Sequence, residues 1–297
     1  MKKEQKNKEK KKATKVARFS VGIIGSLVLG LFVVYGNKYV FDLLIALVAF
    51  MATYEYNKCI SKEAKPIGWI GYFLSISIAF LHVLPMQVYM IATVIGLPTI
   101  MLILFMHIIL TNMKFNFKDV AFSLMGSLYV YVFTVFIAAL YGYNGNSNGE
   151  QLNAMLNGKY LVWYLFFAAW GTDVPAYIFG MLYGKHHFSK VSPKKSIEGC
   201  IAGTVGSVLF ALGYTAVIQA MGANTYSYLT IAIVTAILSI ISQIGDFAAS
   251  TIKRYFDEKD FSELIPGHGG IIDRIDSLMF VAPYAYLVFT MILNNIK

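Results

Sequence analysis

The sequence is poor in charged residues, which make up 14% of its 297 residues, whereas soluble domains carry roughly 25%. Hydrophobic residues make up 57% of the chain, and the mean hydropathy is +0.61. A helix needs about 20 apolar residues to cross a bilayer, and the chain has many such runs. This composition excludes an ordinary soluble protein and predicts a polytopic helical membrane protein.

Cysteine is scarce, and several common catalytic motifs are missing. Cys59 and Cys200 are far apart and lie in no metal-binding spacing, so neither a disulfide framework nor a cysteine metal site is predicted. The sequence contains no G-x-x-x-x-G-K-[ST], H-E-x-x-H or G-x-S-x-G. A P-loop, a zinc protease of the H-E-x-x-H type and the usual serine nucleophile elbow are therefore not supported.

Nine apolar segments are predicted to be transmembrane helices, because backbone groups in lipid must bond internally, and the fold class is therefore all-α. They cover approximately residues 19–36, 39–56, 66–84, 87–111, 119–142, 160–183, 200–222, 227–250 and 277–294. Residues 1–18 are interpreted as a disordered basic tail that contacts lipid headgroups. Residues 19–297 are interpreted as a single transmembrane catalytic domain.

Positive charge is distributed unevenly between alternate connections. If the N-terminal tail is cytoplasmic, 22 of the 25 Lys and Arg residues fall on the cytoplasmic side. This agrees with the positive-inside rule and predicts a cytoplasmic N-terminus in the cell membrane. It also explains the net charge of +9 by topology, so no nucleic-acid partner is predicted.

Three aspartates lie inside apolar segments, where a carboxylate is costly and usually faces a cavity or a partner. Asp42, near the outer end of its span, is interpreted as structural. Asp173 precedes Pro175, which suggests a broken helix lining a cavity, although an interhelical hydrogen bond is an alternative. For Asp246, helical spacing places Lys253 on the same face, and a simple Asp246–Lys253 pair is the alternative to a functional role.

The densest polar cluster is the loop 251–276, which is predicted to face the cytoplasm. Glycines flank His268, and a helix is predicted from Ile271, so the turn resembles an anion-binding nest at a helix N-terminus. Asp273 and Asp276 lie three residues apart on one face of that helix. With Asp246 they would suit Mg²⁺, which proteins typically hold by one or two carboxylates plus substrate phosphates.

The spacing of these residues resembles the signature of the phosphatidate cytidylyltransferases, also called CDP-diacylglycerol synthases. The matching positions are Ser250, Lys253, Arg254, Lys259, Asp260, Pro266, His268, Gly269, Gly270, Asp273, Arg274 and Asp276. The stretch 184–199 is similar to a second family loop through Ser192, Pro193, Lys194, Lys195, Glu198 and Gly199. The resemblance covers about residues 165–285 well.

Within that second loop, Ser192 is predicted to be the N-cap of the next helix, with Pro193 at its first position. Lys194 and Lys195 would then lie beside a positive helix end that suits a phosphate. The stretch "TDVPAY" at 172–177 departs from the family pattern, although Asp173 still aligns.

The resemblance implies that phosphatidate attacks the α-phosphorus of CTP, giving CDP-diacylglycerol and pyrophosphate with Mg²⁺. Asp246 and Asp273 are assigned to the metal, and a second cation such as K⁺ is left open. Phosphates are assigned to Lys194, Lys195, Lys253 and Arg254, and the triphosphate to His268, Gly269 and Gly270. Asp173, Lys259, Asp260, Arg274 and Asp276 are ligands or supports. A homodimer is expected only from the resemblance.

Two alternative functions are also compatible with a polytopic helical membrane protein. A CTP-dependent polyprenol or dolichol kinase would transfer the γ-phosphoryl group instead of the cytidylyl group. An ion-coupled transporter would use its intramembrane aspartates to couple ions, but such proteins commonly show inverted repeats, and the sequence shows no internal repeat.

Overall fold

The computed structural model describes residue 25 and residues 27–144, 157–187, 191–193, 195–265 and 269–293, without the side chain of Met86. Within these ranges the chain is helical, and strand pairing is limited to isolated bridges. The predicted all-α fold is therefore confirmed. The basic tail 1–18 and the predicted site residues Lys194 and His268 lie outside the described residues.

Nine helices follow one another along the described chain, and seven of them are long and apolar enough to cross a membrane. The helices are α1 (27–35), α2 (Lys38–Ile60), α3 (Trp69–Ser77), α4 (Met86–Leu110), α5 (Phe117–Gly142), α6 (Gly158–Tyr183), α7 (Ile197–Ala220), α8 (Tyr228–Tyr255) and α9 (Ile272–Tyr286). A π-helix, Leu287–Ile292, extends α9. These helices make the chain a multi-pass membrane protein.

Helices α1 and α3 are the two that fall short of a full span in the described residues. α3 and the 3₁₀ turn that follows it cover only Trp69–Phe80, whereas the sequence predicted a span over 66–84. The backbone N–H of His82, just beyond this turn, donates to Asp42, which is buried and also contacts the His82 ring nitrogen Nδ1 at 2.8 Å. The structural interpretation of Asp42 is confirmed, and the count of nine spans stays a prediction.

Polar side chains cap most of the long helices at their N-termini. Asn37 caps α2, Asn116 and Asp119 form a capping box at α5, and Ser227 caps α8. The predicted cap of α7 at Ser192 is wrong, because α7 begins at Ile197 and Ser196 accepts from the N–H of Gly199 at 3.2 Å.

The reason for this shift lies in the loop before α7. The N–H of Lys195 donates to the carbonyl of Ser192 at 3.1 Å, and the N–H of Ile197 donates to the carbonyl of His186 at 3.0 Å. These bonds keep Ser192 and Lys195 outside the helix, so the first helical residue comes after Ser196.

Helix α6 runs unbroken through Pro175, so the predicted broken helix is wrong. A proline removes one helical hydrogen bond and needs room for its ring. The neighbouring helix provides that room at Gly206, where an added Cβ would lie only 2.4 Å from Cγ of Pro175. α6 therefore stays helical through Pro175 while it packs along α7.

The core forms where two groups of helices meet. Helices α2 and α3 pack on α5, whereas α6, α7 and α8 pack on one another, and α9 contacts both α5 and α8. Helices α8 and α9 approach closely at Gly245, where an added Cβ would lie 2.7 Å from Cβ of Phe280. This close contact places the next residue, Asp246, beside α9.

Candidate functional site

A polar cavity of about 630 Å³ lies between α6, α7 and α8. Its lining includes Asp173 from α6, Lys195 and Ser196 from the start of α7, and Gln243 and Asp246 from α8. A larger groove of about 770 Å³ between α6 and α7 is lined almost entirely by apolar side chains. Chemistry rather than size therefore marks the polar cavity as the candidate site.

Lys195 and Asp246 form an ion pair inside this cavity. The Nζ of Lys195 also lies 4.3 Å from the ring centroid of Phe247. The two charged side chains are 26% and 27% exposed, so both can be reached from the cavity. The structure thus brings together a predicted phosphate ligand and a predicted metal ligand that are 51 residues apart in the sequence.

Lys253 binds Asp273, so the alternative of a simple Asp246–Lys253 pair is wrong. The Nζ of Lys253 lies 2.6 Å from Oδ1 of Asp273, and the side chains are 10% and 3% exposed. The other oxygen, Oδ2, accepts from the N–H groups of Phe261 and Gly270, each at 2.9 Å. Both oxygens of Asp273, at the start of α9, are therefore used to hold Lys253, Phe261 and Gly270.

Asp276 and Asp173 complete a group of converging carboxylates. Asp276 is buried and accepts from the backbone N–H of Ser277 at 2.8 Å. The Ser277 hydroxyl also donates to Asp173 at 3.4 Å, which confirms the interhelical hydrogen bond considered for Asp173. Asp276 thus lies next in sequence to a residue that contacts Asp173, and Asp173 lines the cavity together with Asp246.

This donor set fits a Mg²⁺ ion that is completed by a substrate. In the part of the chain that the structure describes, no group of three His, Cys, Asp or Glu side chains forms a ready-made metal site. Mg²⁺ usually needs only one or two carboxylates plus phosphate oxygens. Asp246 faces the cavity, and the hydrogen bond to Asp276 comes from a neutral N–H group, whereas Asp273 is neutralised by Lys253. Asp273 is therefore the less available of the two α9 carboxylates for binding a metal ion.

The glycine turn at residues 269–270 was predicted to hold the triphosphate. Gly269 has φ of +80°, a left-handed conformation that glycine adopts readily. However, the N–H of Gly270 donates to Asp273, and the N–H groups of Ile271 and Ile272 donate to Glu55. A phosphate at this turn would therefore have to displace a carboxylate.

Glu55 is a residue of this region that the sequence analysis did not select. Its side chain is fully buried on α2 and accepts from the hydroxyl of Ser262 at 2.6 Å and from the N–H groups of Ile271 and Ile272 at 2.8 and 2.9 Å. A signal was present, because Glu55 is a carboxylate inside an apolar span, the criterion that selected Asp173.

Glu198 closes the loop that carries Lys195. Its carboxylate lies 2.5 Å from Nδ1 of His186 and accepts from the N–H groups of Lys185 and His186 at 3.2 and 3.3 Å. A phosphate ligand role was predicted for this loop as a whole. The contacts of Glu198 hold the shape of this loop, whereas Lys195 lines the cavity.

The remaining predicted residues lie around the cavity rather than in it. Arg254 is exposed and donates to the carbonyl of Glu258 at 2.8 Å, and Lys259 and Asp260 are exposed. Arg274 is exposed, and its carbonyl accepts from Nε1 of Trp170 at 3.2 Å. Ser250 is partly buried one turn after Asp246 on α8.

Comparisons with known proteins identify the family of the chain. The sequence profile of the cytidylyltransferase family matches residues 16–292. A phosphatidate cytidylyltransferase of Staphylococcus haemolyticus is 39% identical over 182 residues, covering 61% of this chain and 63% of the relative. One of Staphylococcus epidermidis is 38% identical over 189 residues, covering 63% and 66%.

A phosphatidate cytidylyltransferase of Bacillus subtilis is 28% identical over 282 residues, covering 92% of this chain and 97% of the relative. The chain thus spans about two thirds of the length of the two staphylococcal relatives and nearly all of the Bacillus protein. The profile match extends from before the first apolar segment to the end of the π-helix. The chain belongs to the cytidylyltransferase family.

Proposed function

We propose that this protein is a phosphatidate cytidylyltransferase. In the reaction, a phosphate oxygen of phosphatidate bonds to the α-phosphorus of CTP, the bond to the β-phosphate breaks, and pyrophosphate leaves. The observation that carries the proposal is the polar cavity between α6, α7 and α8, which the Lys195–Asp246 pair lines together with a further carboxylate, Asp173. The names of the three relatives support the same reaction.

The side chains of the cavity have separate tasks in this proposal. Lys195 binds a phosphate group and neutralises part of its charge, because a lysine ammonium acts as a compact point charge. Asp246 and Asp276 would hold the Mg²⁺. When bound, that ion would neutralise the charge that develops on the phosphates. Phosphatidate already carries its nucleophilic oxygen, so catalysis consists of positioning and charge neutralisation.

The position of the cavity suits one substrate from water and one from lipid. It lies toward the C-terminal ends of α6 and α8, which lead into the two charged connections 184–196 and 256–271. The distribution of positive charge supports a cytoplasmic location for both loops. CTP would then enter from the cytoplasm, while the acyl chains of phosphatidate stay among the membrane-spanning helices. A homodimer and a second cation remain part of the proposal from the family resemblance alone.

Product analysis tests this function. Purified protein in detergent micelles with phosphatidate and CTP labelled at the α-phosphorus should transfer the label into lipid and release unlabelled pyrophosphate. A chelator should abolish this transfer, and added Mg²⁺ should restore it. A lipid kinase would instead transfer label from the γ-phosphorus of CTP, and a transporter would produce neither lipid. Label that stays in water-soluble nucleotide would overturn the proposal.

A further inference from the structure

We propose that Glu55 is a positioning residue for the reaction and that it acts from the N-terminal half of the chain. It holds the start of α9 and the preceding turn, so that the carboxylates of α9 keep their places beside α8. This inference rests on the proposed function, because the positions that it maintains belong to the proposed site. Glu55 itself contacts no cavity-lining residue in the described contacts.

The N-terminus of α9 lacks a capping side chain of its own. Ile271 occupies the cap position and makes no side-chain hydrogen bond there. The first N–H groups of a helix have no partner inside the helix, and the helix dipole favours a negative charge at that end. Glu55 supplies this charge from α2, and its two oxygens accept the N–H groups of Ile271 and Ile272 separately.

The contacts of Glu55 continue to the proposed site through adjacent backbone. Ile272 is followed by Asp273, which binds Lys253 of α8 and the N–H of Gly270. One helical turn further lies Asp276, and the next residue, Ser277, donates its hydroxyl to Asp173, which lines the cavity together with Asp246. A shift at the start of α9 would therefore move Asp273 and Asp276 together relative to α8.

The space at this contact leaves little freedom for the carboxylate. A Cβ added at Gly270 would lie 2.5 Å from Oε2 of Glu55, so the turn packs directly on the carboxylate. A second contact, an ion pair between Lys62 and Glu258, is exposed to solvent. Its Nζ and Oε1 atoms lie 2.7 Å apart. This hydrogen bond raises the pKa of Lys62 above its ordinary value. An exposed ion pair contributes little to stability, so the buried hydrogen bonds of Glu55 constrain the start of α9 more strongly than the Lys62–Glu258 pair does.

The variant Glu55→Gln is the sharpest test of a positioning role. The amide has nearly the same shape, but its Nε2 is a donor facing donors that need an acceptor. We expect kcat to fall by at least about tenfold, a loss of about 1.4 kcal/mol in transition-state stabilisation. The Mg²⁺ concentration for half-maximal rate should rise several-fold, while KM for phosphatidate should change little.

Asp42→Asn is the matched control, because a merely structural loss must be separated from mispositioning. Asp42 is a fully buried carboxylate on the same helix, and it binds His82 and not the start of α9. We expect Asp42→Asn to lower the thermal midpoint in detergent without shifting the Mg²⁺ dependence. If both variants shift the Mg²⁺ dependence equally, or if Glu55→Gln leaves both kcat and the Mg²⁺ dependence unchanged, the positioning role is wrong.

Hydrogen exchange gives a second readout that does not depend on activity. Glu55→Gln should speed amide exchange in peptides covering residues 261–276, whereas Asp42→Asn should leave these peptides protected. Unchanged exchange in Glu55→Gln would overturn the proposal. If Glu55→Gln does not fold, Ser262→Ala can replace it, because it removes one of the three contacts of Glu55. We expect a smaller increase of exchange in the same peptides. Unchanged exchange in Ser262→Ala would also contradict the proposal. A wild-type protein that makes no CDP-diacylglycerol would instead disprove the proposed function, and the exchange result would stand apart from it.

Discussion

The Nζ of Lys253, near the end of α8, lies 2.6 Å from Oδ1 of Asp273, at the start of α9, although the two residues are 20 positions apart in the sequence. Both side chains are almost completely buried, and Asp273 also accepts two backbone N–H groups. The pair formed by Lys195 and Asp246 is different, since both members are about a quarter exposed and face a cavity. The first pair therefore closes a loop, and the second is available to a substrate.

Replacing each aspartate by asparagine should separate these two roles. Asp273→Asn leaves Lys253 buried without its counterion, and breaking a buried pair in this way costs about 3–5 kcal/mol. We expect Asp273→Asn to lose both activity and thermal stability. Asp246→Asn should lower activity by at least about 100-fold with little loss of stability, because its pair is open to solvent.

Thermal unfolding in detergent, followed together with the rate of CDP-diacylglycerol formation, measures both effects. Membrane insertion should be retained in both variants. If both retain full activity at limiting Mg²⁺, neither aspartate serves the metal. If Asp246→Asn is the less stable of the two, the division of roles described above is wrong.

Lys195 should affect the binding of CTP more than the stability of the fold. Lys195→Met removes the ammonium from the cavity, and we expect kcat/KM for CTP to fall by about 100-fold. Lys195→Arg keeps the charge and should retain more activity than Lys195→Met. Lys118→Met is the control, since it removes a lysine that pairs with Glu63 at the start of α5, and its steady-state rates should match the wild type.

Two helix caps provide a further matched pair. Ser196 caps α7 beside the cavity. Ser227 caps the N-terminus of α8, the end of that helix that lies away from the cavity. Losing a serine cap costs about 1 kcal/mol, so Ser196→Ala and Ser227→Ala should lower stability by similar amounts. Only Ser196→Ala should also lower activity, because the start of α7 carries the loop with Lys195. Equal activity of the two variants would contradict this expectation.

The close approach of α8 and α9 predicts that Gly245 tolerates no side chain. Gly245→Ala would place Cβ 2.7 Å from Cβ of Phe280, which has no free end that can move aside. Overpacking of this kind costs about 1–3 kcal/mol, and here it should also separate Asp246 from α9 and lower kcat. Gly213→Ala is the control, because an added Cβ there meets no atom within 4 Å. Thermal unfolding and initial rates of both variants check the prediction.

The sequence was sufficient for the helical class and for most of the residues around the site. Long apolar runs must be helices in lipid, and the order of charged loops follows from the same runs. The close spacing of Ser250, Lys253 and Asp273 in one signature also identified a region that the structure holds together at Lys253 and Asp273. These features are local, so a single chain displays them directly.

The partners of the charged groups could not be predicted in the same way. Helical spacing placed Lys253 on the face of Asp246, but the choice between Asp246 and Asp273 depends on how α9 packs against α8. The pairing of Lys195 with Asp246 likewise depends on where α7 begins, and hydrogen bonds in the preceding loop move that start to Ile197. Such choices are made by tertiary packing, which periodicity does not encode.

The contact between Glu55 and the start of α9 has a consequence for how the protein is made. The acceptor and its two backbone donors are 216 and 217 residues apart, so α2 is synthesised long before α9 exists. During that interval the carboxylate has none of these donors, and a chain that stops before α9 never gains them. The proposed site can therefore be completed only after α9 has been synthesised and has packed against α2.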